Sequence, residues 1–585
     1  MMTNKLETNN TKRLITAALP YINNVPHLGH IVGSHLPADI FARFCRSKGY
    51  ETLFVGGTDE NGSASEIAAA KAGVDLKKFS KKLHEEHKKV YDWFGISYDT
   101  FSRTSKKSHH ETTKEFFKEV YKNGFISEGK MKVFYSPEDD MFLADRYVVG
   151  ECPKCNYDKA LGDQCENCTV VLDPTQLENP KSTLTGNSVE LKEASHLFFE
   201  LDKLSPKLEK WIKSKTKWRK QVSNLALGWI KEGLRKRSIT RDLKNGVSVP
   251  LKGFEDKVLY VWFDAPIGYI SFTKEASDNW KDFWKGENSK IYNFLGKDNI
   301  PFHTIFWPGM LMAHGEFKLA DEVVGLQYLN YEAGKFSKSQ KRGVFCEKLP
   351  GSKLEPDVLR AYLTYLIPET GDTTFKWEEF KERINSDLIG NYGNFLNRTL
   401  SFINSSLEGI LSKPKETEIK SEDKELMKIT GEKVKQITQY LESQELRRAF
   451  HEILALSSEG NKYLHNTEPW NLIKEDPIRA GHILYFCANL SKTLAILMGP
   501  YLPQTSPKVW NYLGLNGNPL ENGNWDEAGK FELADSHKIG THGKLFNLLT
   551  DEEIAELKDE LSKGTEVKDF FKDQVSKNNI KNIKL

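Results

Sequence analysis

Short apolar runs alternate with amphipathic stretches from about residue 14 to residue 125, break off, and begin again near residue 258. This interrupted alternation restricts the fold more than any other feature of the chain. Runs at 14–19, 52–57, 258–263 and 290–295 read as strands, and 27–48, 81–94, 110–123 and the stretch from about 301 read as helices. Strands alternating with helices build a parallel sheet covered on both faces. The expected fold is therefore α/β, with a Rossmann-like doubly wound parallel sheet. The turn-rich interval 126–236 reads as an insertion within that domain. After Trp377 apolar residues recur at spacings of three and four through 388–407, 424–441 and 479–497, which predicts an all-α helix bundle. A chain of 585 residues exceeds one hydrophobic core, and about 150 residues per domain predicts about four domains. The expected division is 12–125 and 237–325 for the two halves of the sheet domain, 126–236 for the insertion, 326–385 for a region that carries the Lys335–Ser339 motif and is expected to contact a nucleic-acid stem, 386–535 for the bundle and 536–585 for a tail.

Composition excludes rather than identifies. No apolar run approaches the roughly 20 residues that span a bilayer, and the polar segment from Met1 to Arg13 resembles neither a secretory signal nor a transit peptide. The expectation is a cytoplasmic protein without membrane contact. A net charge of +2 is neutral on nucleic-acid binding, because a binder needs a local basic surface rather than a basic total. One basic stretch, Lys203 to Lys220, holds eight Lys/Arg against the single acid Glu209, with Trp211 and Trp218 interleaved; its plain reading is a solvated helix face. Of seven cysteines, three (Cys45, Cys346, Cys487) lie among apolar neighbours and read as buried thiols. The other four form Cys152-Pro-Lys-Cys155 and Cys165-Glu-Asn-Cys168, two knuckles nine residues apart. Two such knuckles predict one structural zinc site held by four cysteines, closed to substrate because protein fills all four positions.

Two short motifs carry the chemistry. His27-Leu28-Gly29-His30 falls between a strand and the helix it opens. There, free backbone N–H groups and the helix dipole favour an anion, and Gly29 permits a nucleotide to approach closely. Lys335-Phe336-Ser337-Lys338-Ser339, flanked by Gly334 and Gly343, offers two lysines and two hydroxyls to a polyphosphate. Alone, the first also reads as two solvent-facing histidines and the second as a basic surface loop. In this order, about 300 residues apart, they are far more specific.

Together the motifs resemble those of a class I aminoacyl-tRNA synthetase, His27–His30 standing as the HIGH motif and Lys335–Ser339 as KMSKS, with Phe336 in place of Met. Ala18-Leu19-Pro20-Tyr21, Gly57-Thr58-Asp59-Glu60, Tyr260-Val261-Trp262-Phe263-Asp264-Ala265, and Gly296-Lys297-Asp298-Asn299 through Phe302-His303 resemble the methionyl-tRNA synthetases more narrowly. The resemblance runs from about Leu14 to at least Trp470. It implies Mg²⁺ with ATP, L-methionine and tRNA(Met) as partners. It implies catalytic roles for His27, Gly29, His30, Lys335, Ser337 and Lys338, and ATP contacts from His27, His30, Asp298, Lys335 and Lys338. Read from the residues, all four strands end in ligand-type groups: Leu19/Tyr21, Asp59/Glu60, Trp262/Asp264, and Asp298 with His303 beyond, where open α/β sheets bind. Methionine needs an apolar, polarisable pocket, for which Ala18, Leu19, Tyr21, Trp262, Ala265, Pro266, Tyr269, Phe302 and His303 are the candidates. Asp59 or Glu60 is the expected partner of its ammonium. By the same resemblance Asn394 and Arg398, four apart on one helix face, and Trp470 after Glu468-Pro469 read the anticodon.

The 126–236 insertion is too small for the editing domain of the leucine, isoleucine and valine enzymes. The cysteine enzyme's active-site zinc does not match a closed cluster of four cysteines. A nucleotidyltransferase would use HxGH without an Asn/Arg/Trp bundle, and a non-catalytic tRNA-binding relative would be expected to lose one of the two motifs. About 115 residues follow Trp470, enough to finish the bundle and a tail but not an appended dimerising barrel, so a monomer is expected.

Overall fold

The computed structural model describes residues 11–572 apart from 139, 163, 164, 166, 169, 171, 333, 335–342 and 521–523. Its centre is a parallel sheet of β1 (Lys12–Ala17), β2 (Glu51–Thr58), β3 (Thr100–Arg103), β4 (Ser289–Gly296) and β5 (Glu322–Leu326), in the spatial order β5-β4-β1-β2-β3. The order reverses between β1 and β4, which makes the crevice beyond their carboxyl ends the topological switch point. Successive residues alternate between two apolar cores. Ile15, Phe54, Tyr292 and Phe294 enter one, while Leu14, Val55, Ile291 and Leu295 enter the other. A parallel sheet buried on both faces requires this.

One strand expectation is corrected. Only Val258–Leu259 of the 258–263 run is strand; Val261–Asp264 and Ala265–Ile267 are helical turns. The run VLYVWF has the apolar character of a buried strand, but here it turns, with Phe263 packed against Phe116, Phe117 and Phe199, so Trp262 and Asp264 project from helix rather than strand.

Among the described residues, three π-helical stretches interrupt the helices: Ile31–His35, Phe302–Phe306 and Ile384–Gly393. The first two follow β1 and β4, the two strands that flank the switch point. Single turns of this kind often mark functional positions.

The insertion is a long antiparallel ribbon, Ile126–Ser136 against Glu190–Phe199, capped by a small sheet of Val148–Glu151, Ala160–Leu161 and Glu178–Ser182. Within the basic stretch the tryptophans serve packing. Trp211 and Trp218 meet edge-on at 5.0 Å, and Trp218 Nε1–H donates to the Asp321 carbonyl at 3.0 Å.

Beyond the sheet, Trp377–Arg383, Ile384–Gly393 and Asn394–Ser406 run on through helical caps as one rod of roughly 45 Å at 1.5 Å per residue. The helices Ser421–Glu442, Leu446–Thr467 and Pro477–Met498 complete a bundle around it. Arg360, fully buried, ties the halves together. It donates to Asp39 (2.8 Å) and the Phe94 carbonyl (2.9 Å) on one side, and to the Pro500 (2.9 Å) and Tyr501 (2.8 Å) carbonyls on the other. The chain then folds back. Phe345 N–H donates to the Leu561 carbonyl at 3.0 Å, and Phe571 stacks on Phe79 at 5.4 Å in a cluster with Ile22 and Val25.

Candidate functional site

The segments leaving β1 and β2 remain zipped together past the sheet. Asp59 N–H donates to the Pro20 carbonyl at 2.9 Å and Ile22 N–H to the Asp59 carbonyl at 3.0 Å, which sets Tyr21 beside Asp59. Trp262 Nε1–H donates to the Tyr21 hydroxyl at 3.0 Å, and its ring meets Phe302 edge-on at 5.7 Å. Tyr269 hydroxyl bonds His303 Nε2 at 2.9 Å, while His303 Nδ1 bonds the Asn299 carbonyl at 3.0 Å. A carbonyl only accepts, so Nδ1 carries the proton and Nε2 accepts from tyrosine. Burial pushes the His303 pKa down to about 4, so the ring is neutral. Leu19 lies against Gly268, Ala18 N–H bonds the Phe294 carbonyl at 2.9 Å, and Ala265 and Pro266 form the adjoining turn. These contacts join Tyr21, Trp262, Phe302, His303 and Tyr269 in one cluster.

The two neighbouring carboxylates differ sharply. Glu60 is consumed: Arg103 Nε donates to it at 2.7 Å, and the hydroxyls of Thr58 and Ser105 at 2.9 and 2.5 Å. Asp59, 4% exposed, keeps Oδ1 without a hydrogen-bond partner. Asp264, fully buried, also leaves Oδ1 unpartnered, while its Oδ2 accepts from Asn61 Nδ2 at 2.6 Å and lies 4.0 Å from His109 Nε2. Burial raises the pKa of both acids, and Asp264 raises that of Asp59 further. Arg103, Asn61 and His109 escaped sequence reasoning because their partners are distant in the chain.

At the helix after β1, His27 and His30 cap each other's backbone. His27 Nδ1 accepts from Gly29 N–H at 3.0 Å, and His30 Nδ1 accepts from His27 N–H at 3.2 Å. With both Nδ1 atoms accepting, each neutral ring carries its proton on Nε2. An added Cβ at Gly29 would meet His27 Cε1 at 2.7 Å, so any larger residue would force the capping His27 ring to shift. Of the KMSKS-like stretch, Lys335, Ser337 and Lys338 lie outside the described residues. Just beyond it, Phe345 pairs its backbone with that of His27. Asp298, at the rim after β4, accepts from the Tyr328 hydroxyl.

In the bundle, Asn394 is exposed and donates to Asn461 Oδ1 at 3.2 Å. Trp470 opens the helix Pro469–Glu475 after the left-handed Glu468, and the Arg398 guanidinium lies 5.0 Å from its ring centroid. The three expected readers thus share one surface. In the insertion, the Sγ atoms of Cys152, Cys155, Cys165 and Cys168 all lie within 4.8 Å of one another. Two of the pairs stand at 3.8 and 3.6 Å. A tetrahedron of sulfurs about 2.3 Å from a zinc ion has edges of about 3.8 Å, so the donor set fits the ion.

Residues 13–400 match the family model described as tRNA synthetases class I (M), and residues 413–566 match the anticodon binding domain of methionyl tRNA ligase. The chain belongs to the methionyl-tRNA synthetases. Methionine–tRNA ligase 1 of Acaryochloris marina is 42% identical over 93% of this chain and 98% of its own length. The cytoplasmic methionine–tRNA ligase of Arabidopsis thaliana is 40% identical over 94% and 71% respectively. A solved Mycobacterium tuberculosis methionyl-tRNA synthetase in complex with methionyl-adenylate superposes with a TM-score of 0.76 at 26% identity, covering 92% of this chain and 99% of that one. As in the family models, the methionyl-tRNA synthetase sheet domain comes first and the anticodon domain follows. No described helix is long and apolar enough to cross a membrane.

Proposed function

We propose that the switch-point residues carry out the methionine–tRNA ligase reaction as follows. The methionine side chain lies among Tyr21, Trp262, Phe302 and His303, with sulfur–aromatic contacts of roughly 0.3–1.5 kcal/mol each. Its ammonium pairs with Asp59. The observation that carries this assignment is the buried Asp59 oxygen without a partner, beside a Glu60 whose oxygens are already taken. A buried acceptor left unmade costs about 1–3 kcal/mol, and an incoming ammonium removes that cost.

The methionine carboxylate then attacks the α-phosphorus of ATP. The new O–P bond forms as the bond to the β-phosphate bridging oxygen breaks, and pyrophosphate leaves. The nucleophile is already ionised, so no general base is needed; the protein positions the reactants and stabilises charge. His27 and His30 meet the phosphates as Nε2–H donors at the helix start. Lys335 and Lys338, with Ser337, act on the β- and γ-phosphates as charge builds there. Asp298 serves the nucleotide at the rim, and Mg²⁺ accompanies the phosphates. The adenylate next passes its acyl group to the terminal adenosine of tRNA, with AMP leaving. Asn394, Arg398 and Trp470 read the anticodon by base-edge bonds and stacking. The four cysteines hold zinc, whose role is to fix the fold of the insertion.

ATP–pyrophosphate exchange without tRNA, run with each of the twenty amino acids, is the test. Exchange with methionine alone is expected. Exchange with another amino acid overturns the pocket, and no exchange in folded, zinc-loaded protein favours a non-catalytic tRNA-binding role.

A further inference from the structure

The helix Leu76–Trp93 turns three polar heads toward the interior, where apolar side chains would pack without a polar penalty. His84, His87 and Tyr91 stand three and four residues apart, on one side of the helix. Each reaches a different segment of the site. His84 Nδ1 bonds the Thr58 hydroxyl at 2.9 Å at the end of β2; that hydroxyl donates to Glu60 at 2.9 Å, so His84 is the donor. His87 Nε2 bonds the Asn24 carbonyl at 2.7 Å, in the loop that leads from β1 to His27. The Tyr91 hydroxyl bonds His35 Nε2 at 3.0 Å, in the π-helical turn after His30, and lies 3.4 Å from His87 Nδ1. His35 Nδ1 meets the Tyr98 hydroxyl at 2.5 Å, and the Tyr98 ring stacks on Phe54 of β2 at 4.2 Å. His35, His87 and Tyr91 are buried.

The protons in this chain have one consistent placement. Burial lowers the pKa of His35 and takes that of His87 to about 4, so both rings are neutral. A carbonyl only accepts, so His87 carries its proton on Nε2 and its Nδ1 accepts from Tyr91. The single Tyr91 proton is then spent. Its oxygen accepts from His35 Nε2–H, and His35 Nδ1 accepts from Tyr98. All four bonds point one way, from Tyr98 to Asn24, and every ring nitrogen of the two histidines has a partner. A buried polar network satisfied in this way holds one arrangement rigidly.

The chain ends three residues before His27. Between them, Val25 N–H donates to Asn24 Oδ1 at 2.9 Å, and the Val25 side chain is buried in a cluster with Phe79 and Leu83. Pro26 follows with its φ fixed by the ring. A displacement of the Asn24 carbonyl therefore passes to the His27 turn. The methionine end of the same loop is tied separately, by the backbone bonds between Ile22, Pro20 and Asp59. We propose that His87 is a positioning residue for adenylate formation: its Nε2–H holds the Asn24 carbonyl and so sets His27 and His30 against the phosphates. The inference rests on the reading of that turn as the phosphate site.

Two amide substitutions separate the ring nitrogens. His87→Gln places an amide nitrogen near the position of Nε2, within reach of Asn24. His87→Asn places its amide near Nδ1, beside Tyr91 but short of Asn24. In tRNA-free ATP–pyrophosphate exchange, His87→Asn is expected to lower kcat by about ten- to hundredfold, as small misplacements of reacting groups do, while His87→Gln stays within about threefold of wild type. Methionine affinity, read by fluorescence titration, should be the same in all three proteins. The two variants lose the same ring, so their melting temperatures should agree and stability cannot account for the difference. A second measurement needs no destabilising change: in imidazole nitrogen NMR of isotope-labelled histidine, the His87 signal, identified by its absence from His87→Gln, should show Nε2 protonated and Nδ1 bare. Equal rates for the two variants overturn the proposal, since the ring would then serve packing alone. Methionine affinity that falls in step with kcat overturns it as well, and so does a His87 proton found on Nδ1. Wild-type protein without methionine-dependent exchange would sink the ligase reading and this inference with it, whereas an active wild type beside an equally active His87→Asn sinks the inference alone.

Discussion

The guanidinium of Arg398 lies 5.0 Å from the centroid of the Trp470 ring, although the two residues sit on different helices. The arginine faces a partly buried indole, and the proposed role of that indole is to stack on a base. Trp470→Ala is expected to weaken tRNA aminoacylation by roughly 1–3 kcal/mol, the value of one stacked base. Methionine-dependent exchange without tRNA is the control for folding. Loss of both activities would place the tryptophan in the core instead.

Lys338→Ala is expected to slow adenylate formation by about 10²–10³-fold, as removal of one transition-state donor does, with methionine affinity nearly unchanged. Single-turnover formation of adenylate measures the first and fluorescence titration the second. A wild-type rate would remove Lys338 from its proposed role.

The buried acids predict a pH dependence. Burial lifts Asp264 from the ordinary carboxylate range up to about 8 and raises Asp59 in the same direction. Between that ordinary range and about pH 8 the folded, ligand-free protein therefore binds more protons than the unfolded chain, so its stability falls as pH rises. Methionine's ammonium prefers the ionised acid, so its affinity should climb over the same interval. Asp264→Asn should flatten both trends, and Asp59→Asn should cost methionine binding about 3–5 kcal/mol, as loss of a buried charge partner does. Calorimetric titrations at pH 6, 7 and 8 check the sign. Affinity that weakens with rising pH would contradict it.

Purified protein is expected to carry one equivalent of zinc by elemental analysis. Cys152→Ser should abolish it and unravel the small sheet beside Val148–Glu151, seen as rapid proteolysis near residues 150–180. Retention of zinc by the variant would show that the knuckles are not its ligands.

Much of this was legible because it depends on local order. The short apolar runs of β1, β2 and β4 and the HxGH turn are set by neighbours in sequence. β3 (TFSR) escaped because it is short and half polar, and its strand character comes from lying beside β2. The 258–263 run misled because apolar content alone cannot separate a buried strand from a buried turn. Likewise, Asp59 and Glu60 are indistinguishable in sequence. What separates them is Arg103, forty-three residues away, which claims one and leaves the other.

The return of the chain to the sheet domain carries a thermodynamic consequence. Phe571 lies on Phe79, the Leu561 carbonyl accepts from Phe345, and Arg360 spans Asp39 and Pro500, so the chain closes into a loop around its own middle. Neither half can melt without exposing apolar surface and uncompensated charge on the other. A scanning calorimeter should therefore record one transition rather than two, and heat that blinds the protein to its anticodon should at the same moment cost it the ability to make adenylate.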